Sequence, residues 1–107
     1  MSDITGSVSV GDGFSIAYDL NPSTSNPTLK LTLEWEGVSV ASATLTTSDA
    51  TATFGGKVPD SGGLEAEATA TFSFSTDVLS YSVVVETPGV PYVTKSSKKT
   101  YSGSTKI

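Results

Sequence analysis

The chain predicts an all-β protein, an antiparallel β-sandwich of seven to nine strands, on three observations. Apolar and small polar residues alternate with a period of two almost from end to end, most plainly in Leu29–Glu36 and from Leu64 to Ser75. That period puts successive side chains on opposite faces of a pleated strand, one toward a core and one toward water. Each alternating run is bounded by glycine, proline, asparagine or aspartate, the residues that turns require. No window places apolar residues at helical spacing, and no repeat of fixed period occurs.

Ile4 to Val10 forms the first strand, and Gly11-Asp12-Gly13 is a hairpin turn leading into Phe14 to Leu20. In that second strand Phe14, Ile16, Tyr18 and Leu20 share a face. A polar loop with two prolines, Asn21 to Pro27, precedes the most apolar stripe of the chain, Leu29, Leu31, Leu33 and Trp35, and Glu36-Gly37 turns the chain back. Val38 and Val40 are in phase with each other, but Ala43 and Leu45 fall on the other parity. A bulge near Ala41-Ser42 would bring both pairs to the core side.

Ala50 to Phe54 is a short strand before the turn-rich stretch Gly55 to Gly63. From Leu64 the apolar face is Leu64, Ala66, Ala68, Ala70, Phe72 and Phe74, and its small central alanines call for a close approach by the opposing sheet. After a turn at Thr76-Asp77, Leu79, Tyr81, Val83 and Val85 continue the core. Pro88-Gly89 ends that strand, and a last one starts at Val90 to Thr94 and runs into the lysine-rich segment. The expected core is Phe14, Ile16, Leu31, Leu33, Trp35, Phe72, Phe74, Tyr81 and Val83.

With 107 residues the chain is one domain, 1–107, with 95–107 open to being a flexible basic tail. It contains no cysteine and no histidine, and all six basic residues are lysines. Disulfides, thiolate nucleophiles, Cys-type metal sites, the usual general base and the bidentate guanidinium fork are therefore excluded. No catalytic residue, cofactor or metal ligand is assigned, and the chain reads as a non-enzyme. Asp12 and Asp60 sit in glycine-containing turns that could offer oxygens to calcium, but no D-x-[DN]-x-[DN]-G loop is present and turn chemistry accounts for both.

A net charge of −5 argues against nucleic acid, whose phosphates need clustered cations. The charge is uneven: residues 1–94 carry two lysines against eleven acids, while Lys95, Lys98, Lys99 and Lys106 lie beyond. Of this segment Lys95, Lys98, Lys99, Tyr92 and Tyr101 are the candidate partner contacts, which would meet an acidic partner, an anionic membrane or a neighbouring copy. The first residues have neither the basic nor the apolar region of a secretory signal, and no run is long enough to span a bilayer. The expectation is a soluble chain that leaves the cell, if it does, by a route needing no cleaved signal.

Two carboxylate pairs, Glu34/Glu36 and Glu65/Glu67, lie two apart on a strand, which makes them neighbours on one outer face rather than the opposed acids of a glycosidase. Thr44/Thr46, Thr51/Thr53 and Thr69/Thr71 lack the constant repeat spacing of a flat threonine ladder and read as exposed strand residues. The Ser/Thr/Ala-rich segments from Ala41 to Thr76 resemble the insertable hairpin of small pore-forming toxins, with a thin, mostly alanine apolar face.

Trp35 on an early strand and Asp77-Val78-Leu79-Ser80-Tyr81-Ser82-Val83, which looks like a tyrosine corner, resemble the immunoglobulin and fibronectin type III class, with Val83 at the place of the second cysteine. The resemblance implies an immunoglobulin-like sandwich and nothing about function. Gly37 to Ala43 and Tyr81 to Gly89 resemble the prealbumin-like surface repeats of bacterial adhesins. Some of those close a lysine–asparagine isopeptide bond, for which this chain offers only the loop residues Asn21 and Asn26. The functional expectation is a structural or interaction module: a self-assembling or protein-binding subunit of virion, injection-apparatus or surface type. A carbohydrate- or protein-binding adhesin or lectin domain is the first alternative, and a small membrane-active pore former the second.

Overall fold

The computed structural model describes residues 3–59, 63–87 and 97–107, with the backbone alone at Ser97. Among them are eight strands and no helix: β1 (Ile4–Gly11), β2 (Phe14–Asn21), β3 (Thr28–Trp35), β4 (Val38–Thr46), β5 (Thr51–Lys57), β6 (Glu65–Ser73), β7 (Val78–Thr87) and β8 (Ser97–Lys106). They form two antiparallel sheets ordered β1-β2-β3-β4 and β5-β6-β7-β8, packed face to face as a β-sandwich. Every ladder joins strands adjacent in the sequence, and the chain changes sheet once, between β4 and β5. The two packed antiparallel sheets are each connected as a simple meander.

The registers follow from parity. Leu20↔Leu29↔Leu45 and Ile16↔Leu33 set apolar residues beside one another on the inner face of the first sheet, where a one-residue slip would turn them all outward. In the second sheet Ala68↔Val83 and Phe72↔Leu79 do the same. The buried core comprises Phe14, Ile16, Leu20, Leu29, Leu31, Leu33 and Leu45 from one side and Phe54, Val58, Ala66, Ala68, Ala70, Phe72, Leu79, Val83 and Val85 from the other. Each fully buried leucine contributes about 1.5–3 kcal/mol relative to an exposed one. Of the expected core, Trp35, Phe74 and Tyr81 are only partly buried and pack against its rim. Phe74 lies just past the end of β6, with its ring edge-on to Phe72 at 4.7 Å between centroids.

Two hairpins turn where expected. Glu36 and Gly37 both take positive φ (47° and 84°), as a two-residue turn matched to strand twist requires. Asp12 and Gly13 do the same at 52° and 83°. The bulge in β4 falls at Val40: Leu33 pairs with Ala41 and Glu34 with Ser39, which leaves Val40 as the extra residue. It lies one residue before the expected Ala41-Ser42 and brings Val40, but not Val38, against the core, since Val38 remains 44% exposed.

The last strand includes the lysine-rich segment, as expected, but reaches farther than expected. Residues 97–106, within the segment read as a flexible basic tail, form β8 and pair with β7 residue for residue from Val78↔Lys106 to Thr87↔Ser97. The strand expected at Val90–Thr94 lies outside the described residues. Both parities of β8 are polar, so its strand character comes from the free edge of β7, whose backbone groups it satisfies, rather than from an apolar stripe.

Candidate functional site

β8 carries most of the residues singled out as partner contacts. Lys98 and Lys99 are exposed on successive positions and so on opposite faces. Lys98 lies opposite Glu86, its Nζ 3.7 Å from Oε2, an exposed pair that contributes little to stability. Lys99 lies opposite Val85 on the core-side parity of an edge strand, a placement that discourages a foreign strand from pairing there. Lys95 and Tyr92 lie outside the described residues.

Tyr101 is turned to structural use. Its hydroxyl donates a 2.7 Å hydrogen bond to Asp12 Oδ2 in the β1–β2 turn, and its ring covers Gly11, where a Cβ would come within 2.6 Å of Tyr101 Cε1. The same turn accepts a 3.2 Å hydrogen bond from Trp35 Nε1 at the Asp12 carbonyl, and Glu36 N donates to the Gly13 carbonyl at 3.0 Å. β8 is thus latched to the first hairpin at the corner where β1 and β8 meet. The hydrogen bond to Asp12, then burial and the Asp12 charge, raise the Tyr101 pKa above the ordinary phenol value. Asp12 is thereby engaged by a protein donor, and Trp35 is tied to the turn rather than free as a stacking platform. Asp60 lies outside the described residues.

The outer face of the second sheet is ordered into rows across its four strands. Lys57, Glu65, Glu86 and Lys98 form one row, a positive residue at each edge and two acids between. Beside it a cleft of about 410 Å³ opens where Gly55 and Gly56 leave the β5 backbone bare, lined by Glu65, Glu67, Glu86, Val84 and Lys98. Farther along come two rows of hydroxyls, Thr53-Thr69-Ser82-Ser102 and Thr51-Thr71-Ser80-Ser104. Within them the Thr51–Thr71 and Thr53–Thr69 hydroxyls lie 2.9 and 3.2 Å apart. These rows become visible only with register, since sequence spacing does not place strands side by side.

The pairs Glu65/Glu67 and Glu34/Glu36 do not face each other across a cavity: the first flank the cleft on β6, and Glu36 sits in a turn. Among the described residues no group of three or more carboxylate side chains is arranged to hold a metal ion. The hairpin of β5 and β6, likened above to an insertable one, directs Phe54, Ala66, Ala68, Ala70 and Phe72 into the core. No described helix is long and apolar enough to cross a membrane.

On the first sheet, Asp19 stands opposite Lys30 on β3 and Thr5 on β1. Its pKa is raised, first by a hydrogen bond with Asp3, then by burial and the Asp3 charge, with Lys30 acting in the opposite direction. Asp19 Oδ1 is enclosed without a hydrogen-bond partner. No family model, curated protein or solved structure matches the chain.

Proposed function

We propose that this chain is a non-catalytic structural or interaction module, a β-sandwich subunit that binds protein partners, itself included, through its sheet edges. The observation that carries the reading is the pair of open sheets. β1 and β8 end their sheets at a common corner, and no backbone hydrogen bond joins them among the described residues. An unpaired strand edge presents a row of amide and carbonyl groups that another strand can satisfy. The lack of histidine, cysteine and arginine supports the same reading, because the side chains that most often move protons, attack carbonyls or bind oxyanions are missing. Phage, injection-apparatus and bacterial surface subunits are the classes this describes.

Light scattering coupled to size exclusion, across a hundredfold range of concentration, tests the reading. A mass that grows from 10.9 kDa toward a defined multiple supports it, and a strict monomer that captures no protein overturns it. The cleft over Gly55-Gly56 favours carbohydrate binding as the second reading, since its carboxylates are acceptors for sugar hydroxyls. A glycan array without hits removes that reading.

A further inference from the structure

Edge strands are a hazard that proteins manage with charges, bulges or cover, and three of the four edges here show such a device. β8 carries Lys98, Lys99 and Lys106. β4 is broken by the bulge at Val40 and lies against β5 at the corner formed by the single sheet change. β5 abuts β4 in turn and ends in Lys57. The remaining edge, β1, meets β8 where Tyr101 covers Gly11, but it has no charged residue from Ile4 to Gly11. None of its residues is buried, the first four are exposed, and Ile4, one of two large apolar residues left exposed among those described, is 44% accessible. Its one irregularity, at Val10, sits beside the turn and leaves Ile4 to Ser9 in regular register with β2.

Resting on the reading above, we infer that β1 is the docking edge and that its occupant is the β1 strand of a second copy, paired antiparallel about a two-fold axis. The sequence of β1 matches itself in this arrangement. Directly opposite residues of an antiparallel pair share a face, so a register centred on Ser7 sets Thr5 opposite Ser9 of the second copy on the outer face. On the inner face it sets Gly6 opposite Val8, and Ser7 meets its own twin on the axis. Outer positions stay polar, inner positions stay small or apolar, and no like charges meet. The two first sheets become one sheet of eight strands with an isologous, closed interface, which stops at the dimer.

The chain has no cysteine, which makes the test clean. Opposed residues at the axis stand about 4.5–5.5 Å apart between Cα atoms, within the range a disulfide spans. Ser7→Cys is therefore expected to cross-link into a dimer under mild oxidation, while Thr44→Cys, exposed on β4, does not. Ser7→Lys, an exposed substitution, is expected to weaken association by about tenfold by setting like charges across the axis, with the melting temperature held close to that of the parent. A dimeric parent whose Ser7→Cys variant fails to cross-link, or whose Thr44→Cys variant cross-links instead, overturns β1 as the edge and leaves self-assembly standing. A parent that stays monomeric at every concentration overturns this inference, and capture of some other protein by that monomer leaves the broader reading in place.

Discussion

β3 and β6 occupy corresponding places, each an inner strand with its core face fully covered, yet they fill that face with opposite kinds of side chain. β3 presents Leu29, Leu31 and Leu33, all at 0% exposure, and β6 presents Ala66, Ala68 and Ala70 at 3%, 0% and 0%, with the one large residue, Phe72, at the end of the stripe. A sandwich core has a fixed thickness, so bulk on one sheet calls for small residues on the other if packing is to reach native density without strain. Size, and not hydrophobicity alone, distinguishes the centres of these two inner strands.

The largest effect should come from removing bulk. Leu31→Ala is expected to cost about 2–5 kcal/mol, because the leucine has no solvent-exposed side from which the site can relax; urea unfolding should show the midpoint falling with its slope unchanged. Adding bulk on the other side tests the converse. Ala68→Leu is expected to cost about 1–3 kcal/mol by overpacking, read in the same experiment, and a neutral result would mean that the space opposite β6 is not filled by the leucines of the first sheet.

The next variants probe the tie between the sheets rather than their packing. Tyr101→Phe should lower the melting temperature at neutral pH by removing the hydroxyl that Asp12 accepts. The folded pKa of Tyr101 is raised, so its contribution is fully present below the unfolded value of 10.0 and is lost as pH rises through the folded one. The parent's advantage over Tyr101→Phe should therefore shrink in alkali, as melts at neutral and alkaline pH will show. The smallest effect belongs to Asp19, confined to the outer face of the first sheet. Its folded pKa is also raised, so its protonation favours the folded state in acid and that gain disappears as pH rises through the folded value. Asp19→Asn should raise the melting temperature at pH 7 and give no gain below pH 3.8, where the parent carboxyl is protonated whether the chain is folded or not.

The division of the core was largely legible before any coordinates, because parity alone separates the leucine stripe from the alanine stripe and names their buried faces. The two hairpin turns at Asp12-Gly13 and Glu36-Gly37 were legible from their glycines, which take positive φ at no steric cost, and Asp12 adds to the first, whereas Glu36 takes positive φ without belonging to the residues that favour it. Only the start of β8 was legible, in the strand expected to run into the lysine-rich segment; its reach to Lys106 was not, because polar residues at both parities carry no periodic signal and its formation depends on the neighbour it pairs with. Nor was the role of Tyr101, which meets Asp12 across 89 residues of sequence, a separation at which no local pattern speaks. The alanine stripe foretold close packing without saying what would fill it. Among the partner contacts, Lys98 and Lys99 are exposed, but the edge without charge, β1, drew no notice because its significance lies in what the other three edges possess.

The meander connectivity also bears on how the molecule comes to be. Each of the six ladders joins consecutive strands, so backbone pairing can advance hairpin by hairpin, with only modest loop-closure entropy to overcome at each step. What remains non-local is the meeting of the two finished faces and the latch from Tyr101 to Asp12. A sandwich wired this way should collapse faster than one of equal length whose sheets interleave distant strands, and its late event is the closing of the two inner faces upon each other.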